Sequence, residues 1–297
     1  MKAAAERGKY IVAVVLYGTI GLFLRHVQAP SEVVALFRGV LGSAFIFLYQ
    51  RFRGRRPDGK AIRKAFPLLI LSGVSLGLNW IFLFAAYVKT TVAIASLCNY
   101  LAPAVVIVIA PAVLRERLDL RKIPFVLLAL AGILLVSGVL ETGGGDTAGV
   151  LLGLAAAVFF VLVVICNRKL REVPALDRSM LQLAISAATI LPYVLIRNWG
   201  AFPELGLSSL GIILMLGIVH TGLAYCFYFS GMGSLPVQTV AILGYLEPVV
   251  SVLCSVAFLH EPLSLPGWIG AALVLISTAV SEALPEKVSQ KASGGAS

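Results

Sequence analysis

Tyr100-Leu101-Ala102-Pro103 recurs as Tyr245-Leu246-Glu247-Pro248, 145 positions further on. The match continues at that offset, without a gap, in both directions. Upstream, Gly77-Leu78 pairs with Gly222-Leu223, Phe82 with Phe227 and Phe84 with Phe229. Downstream, Leu114-Arg115-Glu116 pairs with Leu259-His260-Glu261, and Leu118 and Leu120 pair with Leu263 and Leu265. The chain is one apolar unit written twice, and a duplicated apolar bundle is how many secondary transporters are built.

Composition sets the medium. Of 297 residues, 59% are hydrophobic and 13% charged, and the mean hydropathy is +0.97. So few polar groups cannot cover the surface of a water-soluble protein of this length, which points to an all-α polytopic membrane protein. A net charge of +10 invites a nucleic-acid reading, but the basic residues sit in short loops between apolar runs, with no basic arm or patch. Cys98, Cys166, Cys226 and Cys254 lie inside apolar runs without paired spacing. Neither a disulfide framework nor a metal site follows from them.

A transmembrane helix needs about 20 mostly apolar residues. Ten stretches qualify: Tyr10–Val27, Glu32–Tyr49, Ala65–Val88, Thr91–Leu114, Leu120–Leu140, Ala148–Asn167, Ser179–Ile196, Leu207–Met232, Pro236–Leu259 and Leu263–Ala283. The first is read as a retained span, because no small-residue cleavage site follows it. The polar tail 285–297 is expected to be disordered and cytoplasmic. If the N-terminus is cytoplasmic, 20 Lys and Arg residues fall inside and only Arg25, Lys89 and Arg197 outside, with Arg38 within a span. Both termini should then face the cytoplasm.

Repeat and charge check each other. A unit of five spans is odd, so its second copy must lie upside down. The fourth span exits through Arg115-Glu116-Arg117 and the ninth through His260-Glu261-Pro262. The acid is shared, but arginine stands only in the inner copy. The expected organisation is therefore two inverted five-helix halves, 1–142 and 146–284, joined by a hinge over Glu141–Asp146 with Gly143-Gly144-Gly145 at its centre.

Polar groups at membrane depth are costly, about 2.5–3.5 kcal/mol for a charge at a helix centre, so the few present are candidates for function. Glu247 sits mid-span. It reads either as a ligand for a cationic group or a coupling proton, or as a helix–helix hydrogen bond beside Pro248. Arg38 reads either as a carboxylate ligand or as a side chain snorkelling to the outer headgroups. Asn79, Asn99, His220 and Gln238 accompany them, and for His220 the plain reading is a packing histidine. Pro103 and Pro248 occupy equivalent places and free the carbonyls of Asn99 and Gly244. Helices interrupted at matching positions in two halves point to a transporter's site, although kinks that only serve packing also occur. Trp80 pairs with Tyr225 and Tyr100 with Tyr245. None lies at an interface, unlike Trp199 and Trp268, and at depth their polar tips need partners. No phosphate-binding loop, His-Glu-x-x-His or nucleophile elbow is present, so an enzyme is not expected and transport would draw on a gradient.

These marks, Leu-x-Pro inside the fourth and ninth spans and Leu-x-Glu at each exit, resemble the EamA family of the drug/metabolite transporter superfamily over nearly the whole chain. Asn99-Tyr100-Leu101 before Pro103 also resembles the aromatic amino-acid exporters of that family, the YddG type. The resemblance implies a bacterial inner-membrane exporter of small metabolites, most readily amino acids including aromatic ones, working by alternating access. It would need no cofactor, no nucleic acid and no second copy, a monomer being sufficient, and its partners would be the solute and the bilayer. Asn79, Trp80, Asn99, Tyr100, His220, Tyr225 and Tyr245 would line the cavity. Arg38 and Glu247 would carry charge or coupling, and Pro103 and Pro248 would bend. Rival readings are a proton-coupled exporter of lipophilic cations and, from another class, a membrane enzyme or lipid-handling protein.

Overall fold

A computed structural model describes residues 2–90, 92–114, 119–136, 140, 146–197, 206–260 and 263–284. The Arg-flanked exit at Glu116, the acid Glu261, the triple-glycine hinge, Trp199 and the tail fall outside them. Among the described residues all regular structure is helical. We number the spans α1 (Lys2–Leu24), α2 (Ser31–Phe52), α3 (Gly59–Lys89), α4 (Val92–Leu114), α5 (Ile123–Val136), α6 (Thr147–Lys169) and α7 (Ala175–Arg197). After these come α8 (Leu207–Ser234), α9 (Val237–Gly244, resuming at Leu246–Leu259) and α10 (Leu265–Ala283). Eight helices among the described residues are long and apolar enough to cross a membrane. The chain is a multi-pass membrane protein.

Local chemistry explains several boundaries. Asp58 caps α3 by accepting from the amides of Lys60 and Ala61 at 3.1 and 3.0 Å, so that helix begins ahead of its apolar stretch. Asp146 caps α6 through the Ala148 amide at 3.0 Å. α4 runs unbroken through Pro103 and Pro111. α8 contains a π-turn at Ile218–Leu223, which apolar periodicity does not announce. α9 is broken at Tyr245, whose amide reaches back only three residues, to Ile242 O at 3.2 Å.

The packing carries a two-fold pattern. α1 packs on α8 and α9, as α6 packs on α3 and α4; α3 packs on α7, as α8 packs on α2. Replacing each helix by the one five places along reproduces the same contacts. Three helices meet their own equivalents: α4 meets α9, and the other two pairs show their direction. In α2 against α7, Gly39 faces Ala187 while Ser43 Oγ donates to Met180 O at 3.0 Å. In α5 against α10, Gly132 faces Val274 while Val136 faces Gly270. One sequence ascends as its partner descends, so both pairs run antiparallel. A Cβ on Gly132 would lie 2.7 Å from the Gly270 carbonyl oxygen, so the α5–α10 crossing demands glycine. Such close approach lets dispersion hold helices together where lipid removes the hydrophobic drive. Buried amides add to it: Asn167 and Gln182 both donate to Ser72 Oγ, joining α3, α6 and α7. Each such bond contributes about 1 kcal/mol, so packing dominates.

Candidate functional site

A cavity of about 330 Å³ lies between α1, α2, α3, α4, α6, α8 and α9. Its wall is rich in aromatic side chains. Tyr10 of α1 stacks on Tyr228 of α8 at 4.8 Å between ring centroids; Tyr17 meets Tyr225 at 5.4 Å and Tyr228 at 5.3 Å. Trp80 stands edge-on to Tyr225 at 6.2 Å. Offset and edge-on pairs of this kind fix ring orientation as well as burying surface. The result is a firm, apolar wall with hydroxyls at its edge.

Polar groups enter that wall from separate helices. α3 and α4 are tied where Asn79 Nδ2 donates to Asn99 Oδ1 at 2.9 Å, and the same nitrogen donates to the Ala156 carbonyl of α6 at 2.9 Å. A buried amide held by two partners stays in place. Tyr87 and Ser96 share a hydrogen bond of 3.2 Å at the cavity edge. From α2, Arg38 places its guanidinium 5.4 Å from the centre of the Trp80 ring, and its Nε donates to Thr221 Oγ1 at 3.0 Å. From α9, Glu247 lies beside the Tyr100 hydroxyl and within electrostatic reach of Arg38. Among the described residues Arg38 and Glu247 make no ion pair with each other. One cation and one carboxylate therefore share a cavity without neutralising each other directly.

The cavity has a closed end and a more exposed one. Tyr10, Val106, Val237 and Val240 are buried; Leu24, Leu83, Tyr87 and Ser96 are partly exposed. At the closed end Tyr10 donates to the Val240 carbonyl at 3.1 Å. Beyond it, Arg168 Nη1 holds the α8–α9 connection through the carbonyls of Gly233 at 3.0 Å and Leu235 at 2.6 Å.

Of the residues singled out from sequence, Asn79, Trp80, Asn99, Tyr100, Tyr225, Arg38, Glu247 and Pro103 come together on this cavity. Three do not. His220 turns away to Thr19, Nε2 to Oγ1 at 3.0 Å, and packs against Phe23 at 5.2 Å, because the π-turn rotates it off the cavity face. Tyr245 is wholly buried behind the wall, because the break in α9 changes the helical phase there. Pro248 comes just after that break and does not line the cavity. Arg38 turns into the cavity, toward Thr221 and Trp80. Tyr10, Tyr17, Tyr87 and Tyr228 line the site and were missed, since only tyrosines matched across the repeat were selected. Their signal was depth alone, a phenol far from any predicted interface.

The chain has relatives along most of its length. It is 24% identical to the uncharacterized transporter YxxF of Bacillus subtilis (strain 168), covering 84% of this chain and 80% of that one. An uncharacterized transporter of Archaeoglobus fulgidus is 26% identical over 91% and 94%. The biotin transporter of Escherichia coli (strain K12) is 22% identical over 75% of each. A solved crystal structure shares the fold at a TM-score of 0.83 and 22% identity, covering 93% of this chain and 97% of the other. None of these relatives speaks for the narrower likeness to aromatic amino-acid exporters. The profile of the EamA-like transporter family matches twice, over residues 10–138 and 147–282, and the chain belongs to that family.

Proposed function

We propose that the protein exports small zwitterionic metabolites, amino acids with apolar or aromatic side chains foremost, by alternating access between two inverted halves. The observation that carries this reading is the unpaired placement of Arg38 and Glu247 in one aromatic cavity. A zwitterion supplies a carboxylate for the guanidinium and an ammonium for the carboxylate, and Trp80, Tyr100 and Tyr225 take the apolar part. A bare apolar solute would leave the terminal guanidinium nitrogens of Arg38 without a partner at depth, at a cost of several kcal/mol. A volume of about 330 Å³ falls at the lower end of ordinary small-molecule sites, which suits an amino acid better than a bulky drug. The family supports transport over enzymatic turnover.

The excess of Lys and Arg in the loops expected inside supports cytoplasmic termini. On that orientation the exposed end of the cavity faces outward, and the Arg168 contacts brace the closed inner end. Rocking one half against the other would exchange the two.

Uptake of a labelled amino-acid panel into proteoliposomes tests the reading, with empty liposomes as control. Saturable uptake of Phe, Trp or Leu is expected, and none of the panel moving would sink it. Export of lipophilic cations is a second reading, favoured by the many tyrosines around Glu247. The two part at Arg38, which a zwitterion needs and a cation does not. Arg38→Leu should abolish amino-acid uptake under the first reading and leave cation movement intact under the second.

A further inference from the structure

The π-turn of α8 carries His220 and Thr221 in succession, and their side chains leave the helix toward different neighbours. His220 reaches Thr19 of α1, and Thr221 Oγ1 accepts from Arg38 Nε of α2 at 3.0 Å. π-turns are frequent at functional sites, and the extra residue re-aims side chains that an α-helix would present elsewhere. Thr221 is fully buried. Its hydroxyl proton is already committed, since Oγ1 donates to the Leu216 carbonyl, five residues back, at 2.9 Å. What remains on Oγ1 is acceptor capacity, directed at Arg38.

That arrangement orders the guanidinium. Nε is held by Thr221, one face lies over Trp80, and the two terminal nitrogens remain for the cavity. Their shared edge is the one that takes a carboxylate through two parallel hydrogen bonds. Without the threonine, a long cationic side chain entering from α2 is free to swing toward the headgroups. We infer that Thr221, presented by the π-turn, is the positioning residue for Arg38 and thereby sets the preference for carboxylate-bearing solutes.

Only the substrate half of this inference rests on the zwitterion reading, so the test has two arms. The first needs no solute. In a Trp199→Phe, Trp268→Phe background the remaining Trp80 reports the guanidinium above it. Thr221→Val should shift Trp80 emission in the same direction as Arg38→Leu and by at least about half as much, and Thr221→Ser should leave it unchanged. Thr221→Ala replaces the valine variant if that one does not purify folded. Unchanged emission in the variant lacking the hydroxyl overturns the positioning role, whatever the protein transports. The second arm measures transport in proteoliposomes. Loss of one charge-assisted hydrogen bond should raise the KM for phenylalanine about tenfold with little change in maximal rate, and serine should restore it. The KM for phenethylamine, which lacks the carboxylate, should stay put. An equal rise for both solutes overturns the carboxylate preference. No amino-acid uptake by the unaltered protein refutes the function proposed above, and the emission arm then decides Thr221 alone.

Discussion

α4 and α9 are two copies of one phrase that the protein uses differently. In α4 the helix passes through Pro103 unbroken, and Ser96, Asn99, Tyr100, Pro103 and Val106 line the cavity. In α9 the helix breaks at Tyr245, and Val237, Val240, Ala241, Gly244, Glu247 and Ser251 line it. Three of these sit at matching repeat positions: 96 with 241, 99 with 244, 106 with 251. Around the break the copies part. Tyr100 faces the cavity while Tyr245 is buried behind it, and Ala102 is buried while Glu247 faces in. A single turn closed over three residues instead of four rotates the next stretch of helix, exchanging a tyrosine and a proline for a carboxylate. Duplication supplied the frame, and a local change of helical phase supplied the asymmetric charge.

The largest effect should come from moving that charge. Glu247→Ala is expected to cut kcat/KM for amino-acid uptake by at least about a hundredfold, the scale of a lost buried charge contact, with the protein still purifying as a folded species. Ala102→Glu, at the matching place in α4, puts a carboxylate where exposure is 0%. It should destabilise the fold by about 3 kcal/mol or more, read as a lowered melting temperature in detergent. Equal tolerance of both variants would mean that the two copies are interchangeable and the phase argument fails.

The tyrosines test the same contrast at smaller scale. Tyr100→Ala removes a cavity wall and a neighbour of Glu247, and about a tenfold loss of initial rate is expected. Tyr245→Phe alters a ring outside the cavity, and the rate should change less than about twofold. The reverse ranking would place Tyr245 at the solute after all.

How far the sequence could be read depends on the same helices. Spans were legible because lipid forbids polar backbone and side chains alike, so apolar runs mark them directly. Arg38, Asn79, Asn99 and Glu247 were legible because a polar group at depth is rare enough to stand out. The repeat, however, led to treating equivalent residues as equivalent in phase, which put Tyr245 in the wall beside Tyr100. It also could not foretell the π-turn. Ile218-Val219-His220-Thr221-Gly222-Leu223 has no turn signature. Its accompaniment is tertiary: a Cβ on Gly222 would lie 2.7 Å from the Phe45 ring, so α8 presses against α2 there. One extra residue in that turn moves His220 off the cavity face and Thr221 onto Arg38, a consequence of packing rather than local propensity.

The smallest effect concerns the break itself. Gly244 immediately precedes it, where α4 has Asn99, and two features weaken the helix there. Glycine is about 1 kcal/mol poorer than alanine in a helix interior, and Pro248 cannot donate to the Gly244 carbonyl. α4 shares the proline but lacks the glycine, and it stays continuous, so the glycine is the part that distinguishes the copies. A Cβ at Gly244 would find its nearest neighbour, the Tyr10 hydroxyl, at 3.5 Å, an ordinary contact. Gly244→Ala should therefore fit, raise the melting temperature by a few degrees, and stiffen α9 toward the continuous form of α4. If the break flexes as the closed end opens past Tyr10 and Val240, the maximal rate should fall about two- to threefold while KM holds. A higher melting temperature with an unchanged rate would make the break a fixed device that aims Glu247, with the bending carried elsewhere.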